Sequence, residues 1–285
     1  MTGAGSGAMD DSLGHRLADL DNRLRELGSV VVAFSGGADS AFLLAAAVQA
    51  LGSRSVIAAT AVSPSLPGSE LQAAADFARG LGVRHVTPRT DEMSRPGFVA
   101  NGADRCFHCK SELLSVLAPL GDQLGMAAIA VGTNADDVLD RFRPGIRAAA
   151  IAGGRTPLAD AGLTKSQVRA ASRAWGLSTA DKPAAACLSS RVAYGLQISP
   201  RRLDRIEQSE RGLRAAMLDA GLPVQNLRVR DLGDRARVEV DAELVSALVH
   251  KPHLLESVTG FEAVEIDHRG FRSGSMNEAL DRRES

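Results

Sequence analysis

Cysteine is scarce in this chain: three residues among 285, an odd number. That count argues against a disulfide framework and a secreted scaffold. Long apolar runs are missing as well. No stretch approaches the roughly 18 residues that span a bilayer, so no membrane partner is expected. The opening sequence MTGAGSGAMDDSLGHR has no basic segment followed by an apolar one, the pattern of an export signal. A cytoplasmic protein is expected. Net charge is almost absent, at −1, which gives no overall reason to expect nucleic acid or an anionic surface as a partner. No RNA-binding module is recognisable. There is no internal repeat, and low complexity is confined to the N-terminus.

What is present is a soluble globular composition, 45% hydrophobic and 24% charged, close to the average for folded domains. The length suits one large or two modest domains with a real core. Residues 1–8 are Gly/Ala/Ser-rich and are expected to be disordered. Residues 9–194 read as a first domain and 195–285 as a smaller second one. From Asp10, the residues Leu13, Leu17, Leu20, Leu24 and Leu27 alternate spacings of four and three, one apolar helix face that Gly28 ends. Val56 to Val62 reads as a buried strand, Ser69 to Leu81 as a helix closed by Gly82, and Arg84 to Thr87 as a short strand. Asp91 to Asp104 is expected to be a loop. Cys106 to Leu117 is helical, with Pro119 weakening its continuation. Met126 to Val131 is a strand, and Thr164 to Trp175 is a helix with Thr164 as N-cap. Strands separated by helices predict an α/β fold with a parallel sheet flanked by helices. Beyond Tyr194 the pattern becomes helix (Ser199 to Ala220), strand (Leu227 to Arg230), strand (Ala236 to Val240), helix (Ala242 to His250) and strand (Ala263 to Ile266). That is a small α+β domain.

The most informative stretch is Val30 to Leu44, VVVAFSGGADSAFLL. A β-favouring run enters Ser35-Gly36-Gly37-Ala38-Asp39-Ser40, and a helix-forming run follows. Such a junction aims backbone N–H groups and a helix dipole at phosphate. Asp39 is placed to hold Mg²⁺, and the Ser35 and Ser40 hydroxyls can donate. The loop is neither a Walker A sequence, since no Lys-Ser/Thr follows, nor GxGxxG. The ordinary alternative is a glycine turn before a helix. With about 7% use per residue type, five fixed positions recur by chance on the order of once per million starts. A second polar loop, Gly132-Thr133-Asn134-Ala135-Asp136-Asp137, follows another buried strand. In parallel sheets ligands sit beyond the carboxyl ends of the strands, so both loops are expected at one crevice. There Asp136 or Asp137 joins Asp39 around the cation, unless the loop is only an Asx turn.

Cys106 and Cys109 lie one helical turn apart in Arg105-Cys-Phe-His-Cys-Lys110, and Cys187 lies in DKPAAACLSSR (181–191). A lone CxxC is weak. Three thiolates with no fourth suit a [4Fe-4S] cluster with one open iron. Zn²⁺, with water or His108 as fourth ligand, is a rival, and three unrelated buried thiols are the plain alternative. Arg143, Arg191, Arg228 and Arg230 fall in loops or on strands, where a planar guanidinium can bind phosphate.

The combination of SGGADS, RCFHCK, GTNADD, RPGIRA (143–148), AGLTKSQVR (161–169), DKPAAACLSSR and GFRSGSMNE (270–278) resembles the LarE-type enzymes. These are ATP-dependent sulfur-insertion proteins of nickel-pincer nucleotide biosynthesis, with a PP-loop of the ATP pyrophosphatases. The resemblance runs from about Leu27 to Leu280. It implies that ATP is bound by Ser35, Gly36, Gly37, Asp39, Ser40, Gly132, Thr133, Asn134 and Asp137, with Mg²⁺ on Asp39. A carboxylate of pyridinium-3,5-biscarboxylic acid mononucleotide attacks the α-phosphate, releasing pyrophosphate. A sulfur nucleophile then displaces AMP to leave a thiocarboxylate. One branch of the family sacrifices the sulfur of a single cysteine at the position of Cys187. Another, which this chain resembles, holds a [4Fe-4S] cluster on three cysteines, here Cys106, Cys109 and Cys187, fed by sulfide or a sulfur donor.

The resemblance also assigns Arg143, Arg191, Glu210, Arg228 and Arg230 to the small-molecule nucleotide substrate and implies a homo-oligomer, a hexamer in the family. A further acidic metal-linked position of the family falls at Ala247 or its neighbours, so a second metal site is in doubt. The competing readings are a PP-loop tRNA thiolase, an amide-forming synthetase, and a nucleotide-binding module without turnover.

Overall fold

A computed structural model describes residues 4–139, 144–183, 187–272 and 274–277. In chain order the elements are α1 (Ala4–Leu27), β1 (Val30–Ala33), α2 (Ala38–Leu51), β2 (Val56–Ala59), α3 (Gly68–Gly80) and β3 (Arg84–Val86). There follow α4 (Pro96–Val99), α5 (Arg105–Gln123), β4 (Ala128–Val131), α6 (Ala135–Leu139), α7 (Pro144–Ile151), α8 (Pro157–Asp160) and α9 (Lys165–Ala174). The chain closes with α10 (Pro200–Asp219), β5 (Leu227–Asp231), β6 (Arg235–Val240), α11 (Val245–Val249) and β7 (Ala263–Ile266). Among the described residues no helix is long and apolar enough to cross a membrane.

The chain divides into two compact units. One is Met1–Ser63, Gly68–Glu92 and Cys106–Ala185, and the other is Pro64–Pro67, Met93–Arg105 and Ala186–Ser285. The single cut expected after Tyr194 therefore lies inside the second unit. Main-chain bonds explain the difference: the Leu188 N–H donates to the Ser65 carbonyl at 2.9 Å, and the Ile198 N–H to the Val99 carbonyl at 2.9 Å. Buried Asn101 adds to them by donating to the carbonyls of Ala193 and Leu196. Composition cannot reveal pairings between segments so far apart in sequence.

The first unit is built on a four-stranded parallel sheet in the order β3-β2-β1-β4. Val30 and Val32, with Phe34 beyond the strand end, turn to one face, where Leu20 and Leu24 of α1, much of α2 and Val168 of α9 pack. Val31 and Ala33 turn to the other, against Leu114 and Leu117 of α5 and Ala149 of α7. Burial on both faces is why the strands read as unbroken apolar runs rather than alternating ones. The leucine stripe of α1 packs as the spacing predicts, with Leu13, Leu17 and Leu27 also against this core. α1 begins at Ala4, where composition predicts disorder. Extending an existing helix by good formers such as Ala is cheaper than nucleating one. α5 also runs through Pro119 to Gln123. Burial of the partly exposed Leu120 and Leu124 against the core offsets the lost N–H. The stretch 91–104 holds α4 and a 3-10 turn rather than a plain loop.

In the second unit α10 lies on a three-stranded sheet, β5-β6-β7, with β5–β6 antiparallel and β6–β7 parallel. Leu213 and Met217 of α10 pack on Val229, Val238 and Val240. Phe42 is fully buried, with its ring centroid 4.8 Å from that of Trp175. Phe42→Ala is expected to destabilise the first unit by about 3–5 kcal/mol, read as a lower urea midpoint with an unchanged slope.

Candidate functional site

β1 and β4 are neighbours, and the strand order turns back between them, at the place where ligands of parallel α/β sheets collect. The polypeptide leaves β1 with Phe34, whose carbonyl accepts from buried Thr60 Oγ1 at 2.8 Å. Gly36 then takes φ +73°, left-handed backbone that a side chain would strain. Gly37 is the N-cap of α2, and no side chain caps that helix. Its first-turn N–H groups are therefore left for another acceptor, as in anion sites at helix starts. Ser40 Oγ donates to the Gly37 carbonyl at 3.1 Å and lies 3.2 Å from Ser35 Oγ.

Asp39 sits in the first turn of α2, and its Oδ1 is buried with no hydrogen-bond partner. Burial, and after it the negative charge of Asp137, holds this carboxyl above its ordinary range. Lys165, the Asn134 amide and Arg169 act in the opposite direction, although Asn134 Nδ2 itself closes no hydrogen bond. A bare carboxylate oxygen beside a second carboxylate suits a hard divalent cation, which would remove both penalties. The Asp39 site therefore fits Mg²⁺.

The second loop meets the first backbone to backbone. A Cβ on Gly132 would stand 2.8 Å from Ser40 N and 2.9 Å from Ser40 Cα. Only glycine lets the end of β4 approach α2 so closely. Asn134 and Asp137 bond reciprocally, the Asp137 N–H donating to Asn134 Oδ1 at 3.0 Å and the Asn134 N–H to Asp137 Oδ2 at 3.3 Å. This fixes the start of α6. Asp136 turns instead to the start of α9 and accepts from the Lys165 N–H at 2.8 Å. Of the two candidate partners for Asp39, Asp137 is the one its carboxyl feels. The Thr133 carbonyl accepts from the Ala159 N–H.

Cys106, exposed, and half-buried Cys109 lie in the first turns of α5. Burial lowers the pKa of Lys110, while Cys109, Cys106 and Asp137 pull it back up. An ammonium thus lies among the two thiols and the acidic loop. Motif reading passed over Lys110, Lys165 and Arg169, although they stand inside RCFHCK and AGLTKSQVR. Each is an ordinary surface residue type whose burial and neighbours only the fold reveals. Cys187, half-buried, belongs to the second unit. Among the described residues no three His, Cys, Asp or Glu side chains are gathered as a metal ion would require.

In the second unit the Cys187 segment is anchored through its backbone. The Cys187 carbonyl accepts from Ser190 Oγ at 2.7 Å and Arg191 Nη1 at 2.9 Å. Arg191, 3% exposed, holds Glu210 through Nε and Nη2, and Glu210 also accepts from the Val229 N–H. Arg230 pairs with buried Glu239 at 2.6 Å and reaches Ser275 and the Ser190 carbonyl. Arg228 differs from these two. Its guanidinium donates only to the neighbouring Leu227 carbonyl, lies over the Phe271 ring, and has no carboxylate in ion-pair contact among the described residues. Burial and the nearby charge of Arg191 push its pKa down to about 10. Glu210 acts in the opposite direction without pairing with it, and the guanidinium still carries its charge at neutral pH. Arg143 lies outside the described residues.

A four-stranded parallel sheet with an uncapped glycine loop at its turning point defines a PP-loop-like α/β protein. No family model matches the chain, but curated proteins do. It is 39% identical over 93% of its length to an uncharacterized protein of Synechocystis, slr1717, covering 98% of that protein. It is 33% identical over 94% of its length to the pyridinium-3,5-bisthiocarboxylic acid mononucleotide synthase of Lactiplantibacillus plantarum, covering 96% of that enzyme. An uncharacterized protein of Methanocaldococcus jannaschii, MJ0830, is 25% identical over 90% of the chain. The chain belongs to the LarE family, that of the Lactiplantibacillus synthase.

Two outcomes are expected from this geometry. Gly132→Ala pushes a methyl into the Ser40 backbone and should cost about 1–3 kcal/mol of stability, measured by urea unfolding. Asp39 holds its proton more tightly folded than unfolded, so its contribution to stability falls as pH rises from the ordinary carboxylate range near 4 through the raised value. Asp39→Asn should therefore raise Tm at pH 7, with the gain shrinking as pH falls towards 4, and Mg²⁺ is expected to raise the Tm of the unsubstituted protein but not that of Asp39→Asn.

Proposed function

We propose that this protein is an enzyme that uses ATP to activate the carboxylates of pyridinium-3,5-biscarboxylic acid mononucleotide and then inserts sulfur to give the thiocarboxylates, releasing AMP and pyrophosphate. Membership in the family of the Lactiplantibacillus synthase supports the substrate class. The observation that carries the ATP step is the buried, unpartnered Asp39 Oδ1 in the first turn of an uncapped helix. In this reading the N–H groups of Gly36, Gly37 and the start of α2, with the Ser35 and Ser40 hydroxyls, hold the phosphates that depart as pyrophosphate. Asp39 and Asp137 hold Mg²⁺, which neutralises charge on those phosphates. Asn134, with Gly132 and Thr133, closes the other side of the crevice. Arg228 takes the phosphate of the nucleotide substrate, since its guanidinium closes no ion pair among the described residues. Arg191 and Arg230, bound to Glu210 and Glu239, shape the wall around it.

For sulfur delivery, Cys106, Cys109 and Cys187 are the residues that would hold a [4Fe-4S] cluster, whose open iron could carry a sulfur ligand. A second reading, in which half-buried Cys187 gives up its own sulfur, follows the other branch of the family. Anaerobic purification followed by iron and sulfide analysis separates the two. Iron and sulfide at four each per chain support the cluster, while metal-free protein whose Cys187 loses sulfur on turnover supports sacrifice. A homo-oligomer, hexameric by family resemblance, is part of this proposal and is read by light scattering.

The decisive measurement is pyrophosphate release. It should require ATP, Mg²⁺ and the bis-carboxylate nucleotide together, and release without that nucleotide would overturn the substrate assignment. Arg228→Ala should weaken the nucleotide substrate roughly tenfold to a hundredfold, the scale of a charged hydrogen bond, with ATP affinity unchanged.

A further inference from the structure

We infer that Lys182 is a positioning residue that sets the glycine loop in its phosphate-receiving form. The inference rests on the reading of that loop as a nucleotide site. Lys182 lies in the DKPAAACLSSR segment but takes no part in the site as described so far. Its Nζ donates to the Gly36 carbonyl at 3.0 Å and to Glu70 Oε2 at 2.7 Å. Both side chains are half-buried.

The segment bearing Lys182 is itself fixed. Arg169 of α9 donates to the Ala180 carbonyl through Nη1 and to the Lys182 carbonyl through Nη2, each at 2.9 Å. The Lys182 N–H donates to the Thr179 carbonyl at 3.1 Å. Glu70 of α3 steers the ammonium from the other side. Three elements therefore converge on one carbonyl of a loop whose left-handed Gly36 has little intrinsic preference of its own.

The consequence follows from peptide geometry. The bond between Gly36 and Gly37 is trans, so the Gly36 carbonyl and the Gly37 N–H point in opposite directions. With the carbonyl tied to Lys182, the Gly37 N–H is turned away from it. There it makes only a long 3.4 Å contact with Ser35 Oγ. A donor so weakly engaged, at the N-cap of an uncapped helix, is ready for a phosphate oxygen. Without the ammonium, this peptide is free to rotate and must be ordered when nucleotide binds.

The test is calorimetric binding of α,β-methylene-ATP with Mg²⁺ to the full chain, with Tm recorded for each variant. Lys182→Met is expected to bind at least tenfold more weakly with Tm within a few degrees, and Lys182→Arg to recover most of the affinity. Glu70→Ala, which leaves the ammonium but removes its guide, is expected to weaken binding about threefold. Binding by Lys182→Met within twofold of the unsubstituted protein overturns the inference. If Lys182→Met does not fold, Glu70→Ala decides: unchanged affinity overturns the inference and the expected weakening sustains it. Failure of the unsubstituted protein to bind the analogue overturns the nucleotide reading, and this inference with it.

Discussion

The approach of Gly132 to the backbone of Ser40 is the constraint on which the first unit's site depends. Without a Cβ at residue 132, the end of β4 reaches the first turn of α2. That contact sets the Asn134–Asp137 cap against Asp39 and makes one crevice from two loops more than ninety residues apart. The parallel pairing of β1 with β4 brings both strand ends to the same level, Ala33 opposite Val131. Register alone would leave the loops side by side; the missing side chain lets them touch. The raised pKa of Asp39 is the electrostatic result, because a carboxyl pressed against Asp137 and shielded from water resists ionisation.

Much of this was legible in the sequence because it rests on local rules. Strand, glycine turn and helix start follow one another within Val30–Leu44, and the leucine spacing of α1 needs no tertiary information. The convergence of SGGADS and GTNADD follows from parallel topology. What escaped was set by distance and burial. Nothing in the sequence separates Asp136 from Asp137, yet one caps α9 and the other faces Asp39. Lys182 and Arg169 are common residue types, and only the fold turns them inward. Pro119 ought to end α5 by local preference, but the helix continues because its next turn packs on the core. The two compact units interleave along the chain for the same reason: Asn101 and Ser65 bind carbonyls and amides about a hundred residues further along.

The second unit distinguishes arginines that the sequence presented as equals. Arg191 faces half-buried Glu210 and Arg230 faces buried Glu239, both in close geometry, and removing Arg230 would leave Glu239 charged and enclosed, a costly state. Their first role is architectural: they fasten the backbone around Cys187 and Ser190. Arg228 stands two residues before Arg230 on the same strand, yet it has no carboxylate in ion-pair contact among the described residues. Burying a guanidinium beside Arg191 and Arg230 is unfavourable, which is why its pKa falls to about 10. Folding tolerates such a charge most readily where a ligand supplies the missing anion.

Asp39 poses the converse problem. Its Oδ1 is buried without a partner, and an isolated buried carboxylate is expensive. Lys165 and Arg169 act on it from α9, but neither closes an ion pair with it, since Arg169 spends its donors on the carbonyls of Ala180 and Lys182. A direct Arg169–Asp39 pair would satisfy the carboxylate and also fill the place that a cation needs. By fixing the guanidinium one shell away, the fold moderates the charge while leaving the oxygen bare. The same two bonds hold the segment from which Lys182 reaches Gly36. One side chain of α9 thus governs both the carboxylate and the peptide orientation of the glycine loop. Shortening it to lysine would lose the fork that engages two carbonyls at once, so the surroundings of Asp39 and the hold on the Lys182 segment depend on a single planar group.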